Sequence, residues 1–463
     1  MQVYQGWFKW IGLALGTVLV LMACTPGAGA PPAGATPAAT PTAETGGNEA
    51  GGGETAAVLQ GEASGTLVFA YPGEETELQM RPRIIELFQQ QYPNITVEEQ
   101  PVPPDGYDQQ ILAAIAAGSP PDVFVSGDVF VAPFIENGVA HNLSPFFAAD
   151  TDLSEDDFYP TVLDYFRGPD GNVYMMPDTI DVQRLYYNQD LFDAAGVDYP
   201  TSAWSWQDFK DAAAALTQGE GPDKTYGFFA DSWWAVWLPY VWQNGGSILS
   251  EDGVTCTLDQ PAAVEAIQWF GDFIRQGYSP SPEEMAGLGM GGWDLFVTGR
   301  VAMYQSGGWD IPGIEQEATF AWDMATLPKG EQEATFLHLT NYVMANGTDN
   351  PEAAWTFLKF LASEQVYTLE AGEFGWGVPP RPNVAETFIA NPPPSATAMS
   401  LKNVRIGQES IPYGRLPAKI LNWDAFTADG VDVALEPYWN GQVSAEEALA
   451  NACAVAPEPV GQQ

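Results

Sequence analysis

The hydrophobic pattern of this chain begins with an uncharged apolar stretch, Trp10 to Ala23, preceded by Lys9 as its lone cation. The stretch is too short to cross a bilayer comfortably and has the length of a secretory signal core. It ends in Leu21-Met22-Ala23-Cys24, which reads apolar, variable, small, then cysteine. From Thr25 to about Ser64 the pattern lapses into Ala, Pro, Gly, Thr and Glu. Such a composition cannot bury enough surface to offset its ordering entropy. We therefore expect a signal peptide over 1–23 and a disordered tether over 24–64.

Beyond the tether, strand and helix patterns alternate. Thr66 to Tyr71 is a β-branched and aromatic run and predicts a strand. Glu77 to Tyr92 carries Ile84, Ile85, Leu87 and Phe88 on one helical stripe, broken by Pro93-Asn94. Ile95 to Val102 alternates as a strand. Tyr107 to Ala117 predicts a helix stopped by Gly118, and Asp122 to Val125 a third strand. This order argues an α/β fold with a parallel sheet and right-handed crossovers. Further strands are predicted at Leu185–Asn188, Val301–Gln305 and Asn341–Ala345. Helices are predicted at Trp206–Leu216, Pro261–Gln276 and Pro351–Ser363, and after Ser444, where Glu447 completes a capping-box spacing.

Composition narrows the function. Sixty acidic residues stand against 16 basic ones, a formal charge of -44. Nucleic acid is excluded as a partner, because its phosphates need Lys and Arg. Roughly 400 residues after the tether suit two lobes rather than one core. His141 and His338 lie far apart and provide no metal-ligand spacing. No cofactor motif is present, and nothing points to a metal. If Cys24 takes a lipid, Cys256 and Cys453 remain as an even pair in an oxidising compartment. A disulfide is expected between them; two separate buried thiols are the alternative.

Several motifs, spread in order along the chain, resemble the family 1 extracellular solute-binding proteins, the sugar-binding group that includes the maltose-binding protein. Leu21-Met22-Ala23-Cys24 resembles a bacterial lipobox. Gly118-Ser119-Pro120-Pro121-Asp122-Val123 matches the pattern before the third strand, and Tyr174-Met175-Met176-Pro177 the first crossing between lobes. Tyr187-Asn188-Gln189-Asp190-Leu191-Phe192 with Ala195-Gly196-Val197 matches the family signature. Trp206-Gln207-Asp208-Phe209, Asn244-Gly245-Gly246, Gly299-Arg300-Val301-Ala302-Met303 and Trp309 follow in family order. The resemblance implies a type II periplasmic-binding-protein fold, two α/β lobes joined by a hinge. It places an N-lobe at 65–175 plus 340–390 and a C-lobe at 178–338 plus 398–455, with both remaining cysteines in the C-lobe. It also implies a monomeric, lipid-anchored receptor outside the cytoplasm that hands a sugar to ABC permease subunits, with no catalysis.

A buried sugar needs hydrogen-bond partners for its hydroxyls and aromatic rings against its C–H faces. Glu74 and Asp128 follow predicted N-lobe strands, where ligands of such sheets bind. Asp181 lies just past Pro177, where the family often has a ligand-contacting acid. Trp233 and Trp234 are consecutive before a helix, so they cannot both enter one core face. Trp309 sits where the family commonly stacks an aromatic, and Asp310 beside it is either a hydroxyl acceptor or a helix cap. Trp376 lies between two glycines in a loop resembling one near the family's cleft, and Arg381 is notable because cations are scarce. Two other readings stand: a different solute (polyamine, peptide, phosphodiester or metal chelate), or a secreted carbohydrate-active enzyme using a carboxylate pair.

Overall fold

A computed structural model describes residues 63–221, 224–250 and 253–455. The signal, nearly all of the tether, and Cys24 lie outside the described residues. Three strands, β1 (Gly65–Pro72), β2 (Ile95–Val102) and β3 (Val123–Gly127), form the parallel sheet that the alternation predicts, with β1 in the centre. The helix Glu75–Gln91 buries Met80, Ile84, Ile85 and Phe88 against it. Phe88 meets Phe357 edge-on, with centroids 4.8 Å apart, and Phe357 in turn meets Phe69 at 5.2 Å. Burying each such ring stabilises the lobe by about 1.5–3 kcal/mol.

Two long strands extend this sheet and then leave it. β4 (Met175–Val182) is buried at every position. After Gln183 the chain continues as β5 (Arg184–Asn188) in a second sheet, together with β6 (Tyr226–Phe229), β7 (Val301–Ser306) and β8 (Trp322–Ala325) in the order β6-β7-β5-β8. The return path is β9 (Thr335–Met344), antiparallel to both β3 and β4. The sequence pattern marks only the end of β9, because its first half lies in the junction, where apolar and polar side chains are both enclosed. A third connection, β10 (Gly414–Arg415), runs parallel to Thr335–Phe336. The fold is thus two α/β lobes hung on three strands, as the resemblance implies.

Helix Ala398–Ser410 departs from the expected boundaries. Its residues Val404 and Ile406 join the same core as Val378 and Val384, and it packs on helices Glu364–Glu373 and Pro382–Ala390 and on β4. Residues 398–410 therefore lie with the N-lobe side of the junction, because their apolar face has its partners there. The segment from Trp423 onward belongs to the C-lobe core with Trp234, Phe270 and Leu435. The last helix, Ala445–Ala454, starts at Ser444, whose hydroxyl accepts from the Glu447 N–H at 3.2 Å.

Cys256 and Cys453 form the expected disulfide, with Cα atoms 5.2 Å apart. It closes a loop of sequence separation 197 within the C-lobe. In the chain-entropy account a loop of that size contributes about 5 kcal/mol by restricting the unfolded chain. Reduction, or the pair C256S/C453S, should therefore lower the melting temperature in scanning calorimetry by several degrees. An unchanged melting temperature would show that the bridge contributes little.

Candidate functional site

The two crossing strands place side chains from both lobes around one short segment, His338–Leu339 of β9. Asp128 follows β3, where the strand ends and a turn of helix begins. It is 8% exposed, and its Oδ2 accepts the Leu339 N–H at 3.1 Å. Asp181 of β4 is the cross-strand partner of His338. Trp233 stacks on the His338 ring at 5.8 Å, and Trp309 meets the same ring edge-on at 4.9 Å. Four of the residues singled out from the sequence thus converge here: Asp128, Trp233 and Trp309 from the regions after strands, and Asp181 from the crossing. Both indoles are half-buried, so each keeps an exposed surface.

His338 itself was legible only as a residue without metal spacing. In the fold it is the floor under both tryptophans. Its Nε2 lies 3.0 Å from the Gln183 amide nitrogen, which places an acceptor on that side of the ring. Burial, with the Arg184 guanidinium nearby, pushes its pKa down to about 3, so the ring is neutral at physiological pH.

The loop after β7 carries Trp309. A Cβ on Gly307 would stand 2.1 Å from the Trp309 ring, so only glycine lets the indole fold back over that position. Asp310, beside Trp309, is buried, and its carboxylate makes no well-formed hydrogen bond. The Ser306 and Tyr304 hydroxyls face it, and burial pushes its pKa up to about 7. Asp181 is also buried, and that burial raises its pKa against the pull of Arg184 and nearby backbone N–H groups.

A second cluster lies in the N-lobe on the same two strands. The Arg81 guanidinium is fully buried and bonds Asp178 of β4 at 2.9 Å, Glu370 at 2.9 Å and the Tyr342 hydroxyl of β9 at 2.6 Å; Glu77 lies 3.4 Å away. The Trp376 ring sits 6.0 Å from the same guanidinium. Three carboxylates thus surround one cation. Burial pushes Glu77 up to about 8 and, with Asp178 beside it, raises Glu370 well above the carboxylate range. The cluster therefore holds a proton at neutral pH. Glu74 is half-buried at the start of the same helix and adds to the field on Glu77. Sequence reasoning missed Arg81, since a lone arginine on a helix reads as a surface charge. Its signal was the i, i+4 pairing with Glu77 on the apolar stripe. Gly377, at φ +59°, admits the backbone of this loop against Thr179, where a Cβ would stand 1.8 Å from the hydroxyl oxygen.

Two expected site residues go elsewhere. Trp234 begins the helix Trp234–Gln243 and packs edge-on against Phe336 and Trp423 in the C-lobe core; successive residues at a helix start diverge, so only Trp233 reaches the junction. Arg381 precedes helix Pro382–Ala390 and bonds the Ala362 carbonyl at 3.2 Å and Asp157 at 3.4 Å, joining elements of the N-lobe. Among the described residues no group of three or more His, Cys, Asp or Glu could hold a metal ion, and no helix is long and apolar enough to cross a membrane.

Comparison with known proteins gives this geometry a context. A profile of the bacterial extracellular solute-binding proteins matches residues 73–368. A putative binding protein of Brucella abortus (strain 2308) is 29% identical over 195 residues, 41% of this chain and 45% of that protein. The sn-glycerol-3-phosphate-binding periplasmic protein of Escherichia coli (strain K12) is 28% identical over 185 residues, 37% of this chain and 41% of its own length. The chain thus matches under half the length of these relatives. An ABC substrate-binding protein of Listeria monocytogenes, solved with cycloalternan, superposes with a TM-score of 0.75 at 26% identity, covering 84% of this chain and 97% of that one. The GacH receptor of Streptomyces glaucescens, described unliganded and with acarbose, superposes at 0.72 with 25% identity, covering 84% and 97%.

The Arg81 cluster makes a pH prediction. Glu77 has a folded pKa of about 8, above its ordinary 4.5. Its contribution to stability is fully present below the unfolded value and is lost as pH rises through the folded one. The melting temperature should therefore fall between about pH 5 and pH 9 by more in the native protein than in Glu77→Gln, which keeps the neutral shape. Parallel profiles would mean that Glu77 ionises normally.

Proposed function

Since the chain belongs to the bacterial extracellular solute-binding proteins, we propose that it is the receptor of an ABC importer that captures a sugar or oligosaccharide between its lobes and hands it to the permease. The observation that carries this reading is the convergence on His338: two half-buried indoles on a neutral ring, with Asp128 and Asp181 beside them. Indoles suit the C–H faces of a sugar, and carboxylates suit its hydroxyls. The ligands in the Listeria and Streptomyces structures, cycloalternan and acarbose, fit such a site. The glycerol phosphate carried in the name of the Escherichia coli relative does not fit as well. Both buried guanidinium groups at the crossing strands, Arg81 and Arg184, already face carboxylates.

Capture follows from the three-strand hinge. A ligand touching Asp128 on one side and Trp309 on the other gains all its contacts only when the lobes close. It therefore shifts the open–closed equilibrium by its differential affinity. The permease then reads the closed form. The lipid on Cys24 and the tether over 24–64 keep the receptor at the outer face of the membrane as a monomer; a diacyl anchor suffices for stable attachment.

A thermal-shift panel tests the ligand class, because a bound ligand stabilises by mass action. Oligosaccharides such as maltotriose and cycloalternan should raise the melting temperature, while polyamines and glycerol phosphodiesters should not. A clear shift with a polyamine or phosphodiester and none with any sugar would overturn the sugar reading. Trp309→Ala should weaken sugar affinity about tenfold or more by calorimetry, with the fold unchanged, through the lost stacking surface. Protein expressed in a bacterium should partition into detergent phase, and Cys24→Ser should move it to the aqueous phase.

A further inference from the structure

Trp309 is attached to the fold through two consecutive glycines, Gly307 and Gly308, so its direction depends on the plane of the peptide between them. That peptide is held from both sides. The Tyr186 hydroxyl of β5 donates to the Gly307 carbonyl at 2.6 Å, and the Gly308 N–H donates to Asp181 Oδ1 of β4 at 2.8 Å. The Trp309 N–H also contributes to Asp181. The same Oδ1 accepts the Val182 N–H at 2.7 Å and the Arg184 guanidinium. Arg184 is fully buried and is itself pinned to the Val182 carbonyl through Nε at 3.2 Å. With the side chain only 8% exposed, Asp181 has its Oδ1 directed wholly at the protein.

We propose that Asp181 is a positioning residue: locked by Arg184, it holds the Gly307–Gly308 peptide and so aims the Trp309 indole at the ligand. This rests on the reading above that Trp309 stacks on a sugar, and it gives an acid expected to touch that sugar a second task inside the protein. The physical need is specific to glycine. Without side chains, the torsions flanking this peptide have little intrinsic preference, and the peptide can flip. A flip would break both hydrogen bonds and free the torsions that carry the indole over His338. Tyr186 on one side and Asp181 on the other make the flipped state costly, and a charged acceptor holds the N–H more strongly than a neutral one.

The test needs no ligand. Asp181→Ala is compared with the native protein by hydrogen exchange of the peptide covering 306–311. It is also compared by fluorine NMR of 5-fluorotryptophan protein, with the Trp309 line assigned by its absence in Trp309→Phe. Exchange at Gly308 should accelerate about tenfold or more, as expected for a lost charge-assisted bond, and the Trp309 line should shift or split. Exchange in β1–β3 should stay as in the native protein. Asp181→Asn keeps the shape without the charge, should show a smaller effect at the same peptide, and decides the matter where Asp181→Ala does not fold. A folded variant with native exchange at 306–311 and an unmoved Trp309 line overturns the proposal. Because both measurements are made without sugar, that result leaves the sugar reading standing. Equally, a protein that binds no sugar can still show the anchor.

Discussion

The antiparallel ladder between β4 and β9 is the constraint on which the rest of the molecule depends. These strands leave the N-lobe sheet side by side and enter the C-lobe at Gln183 and Thr335. There the Gln183 N–H still reaches the Phe336 carbonyl at 3.2 Å, and the Thr335 hydroxyl the Gln183 carbonyl at 3.0 Å. A backbone ladder is stiff along the strands and compliant to twist across them, which suits a hinge. It also requires that every side chain along the ladder be either packed or paired, since all eight positions of β4 are buried.

That requirement explains why polar groups gather on these strands. Asp178 and Tyr342 take Arg81 at one end of the ladder, and Asp181 and His338 face the tryptophans at the other. The first cluster ties helix Glu75–Gln91 and helix Glu364–Glu373 to the crossing and confines its charge inside the N-lobe. The second is open on one side, through the partly exposed faces of Trp233 and Trp309. One ladder thus carries a polar cluster closed inside the N-lobe and another that is open on one side. A buried cation ringed by carboxylates is a weak source of net stability. We read the Arg81 cluster as a device that specifies how these four elements meet.

Much of the fold was legible because it is local. The parallel order of β1, β2 and β3, the helices on them, the capping residue Ser444, and the even cysteine pair all follow from nearby residue types. The missed elements have two causes. β4 and the first half of β9 mix enclosed polar and apolar side chains, so neither a period of two nor a continuous apolar run marks them, and β6 and β8, with four residues each, are too short to show a period. The expected boundary places helix Ala398–Ser410 with the C-lobe although it packs on helices Glu364–Glu373 and Pro382–Ala390, because no local feature says which lobe supplies its apolar partners.

For the site, the chain's own order determined the candidates: an aromatic after Gly307-Gly308, acids after Val125 and Pro177, and a pair of tryptophans before a helix. Residue type and spacing suffice for that, since they specify which chemistry is available at each strand end. Only the tertiary structure decided which candidates meet. It brought Trp233 and Trp309 onto His338 and sent Trp234 into the core. It gave Arg381 to Asp157 and turned Asp181 toward the Gly308 N–H. Apart from the contact of Trp309 with His338, these outcomes depend on contacts between residues more than a hundred positions apart. Such contacts are set by how the sheets pack and cross, and no periodicity within a single segment encodes them.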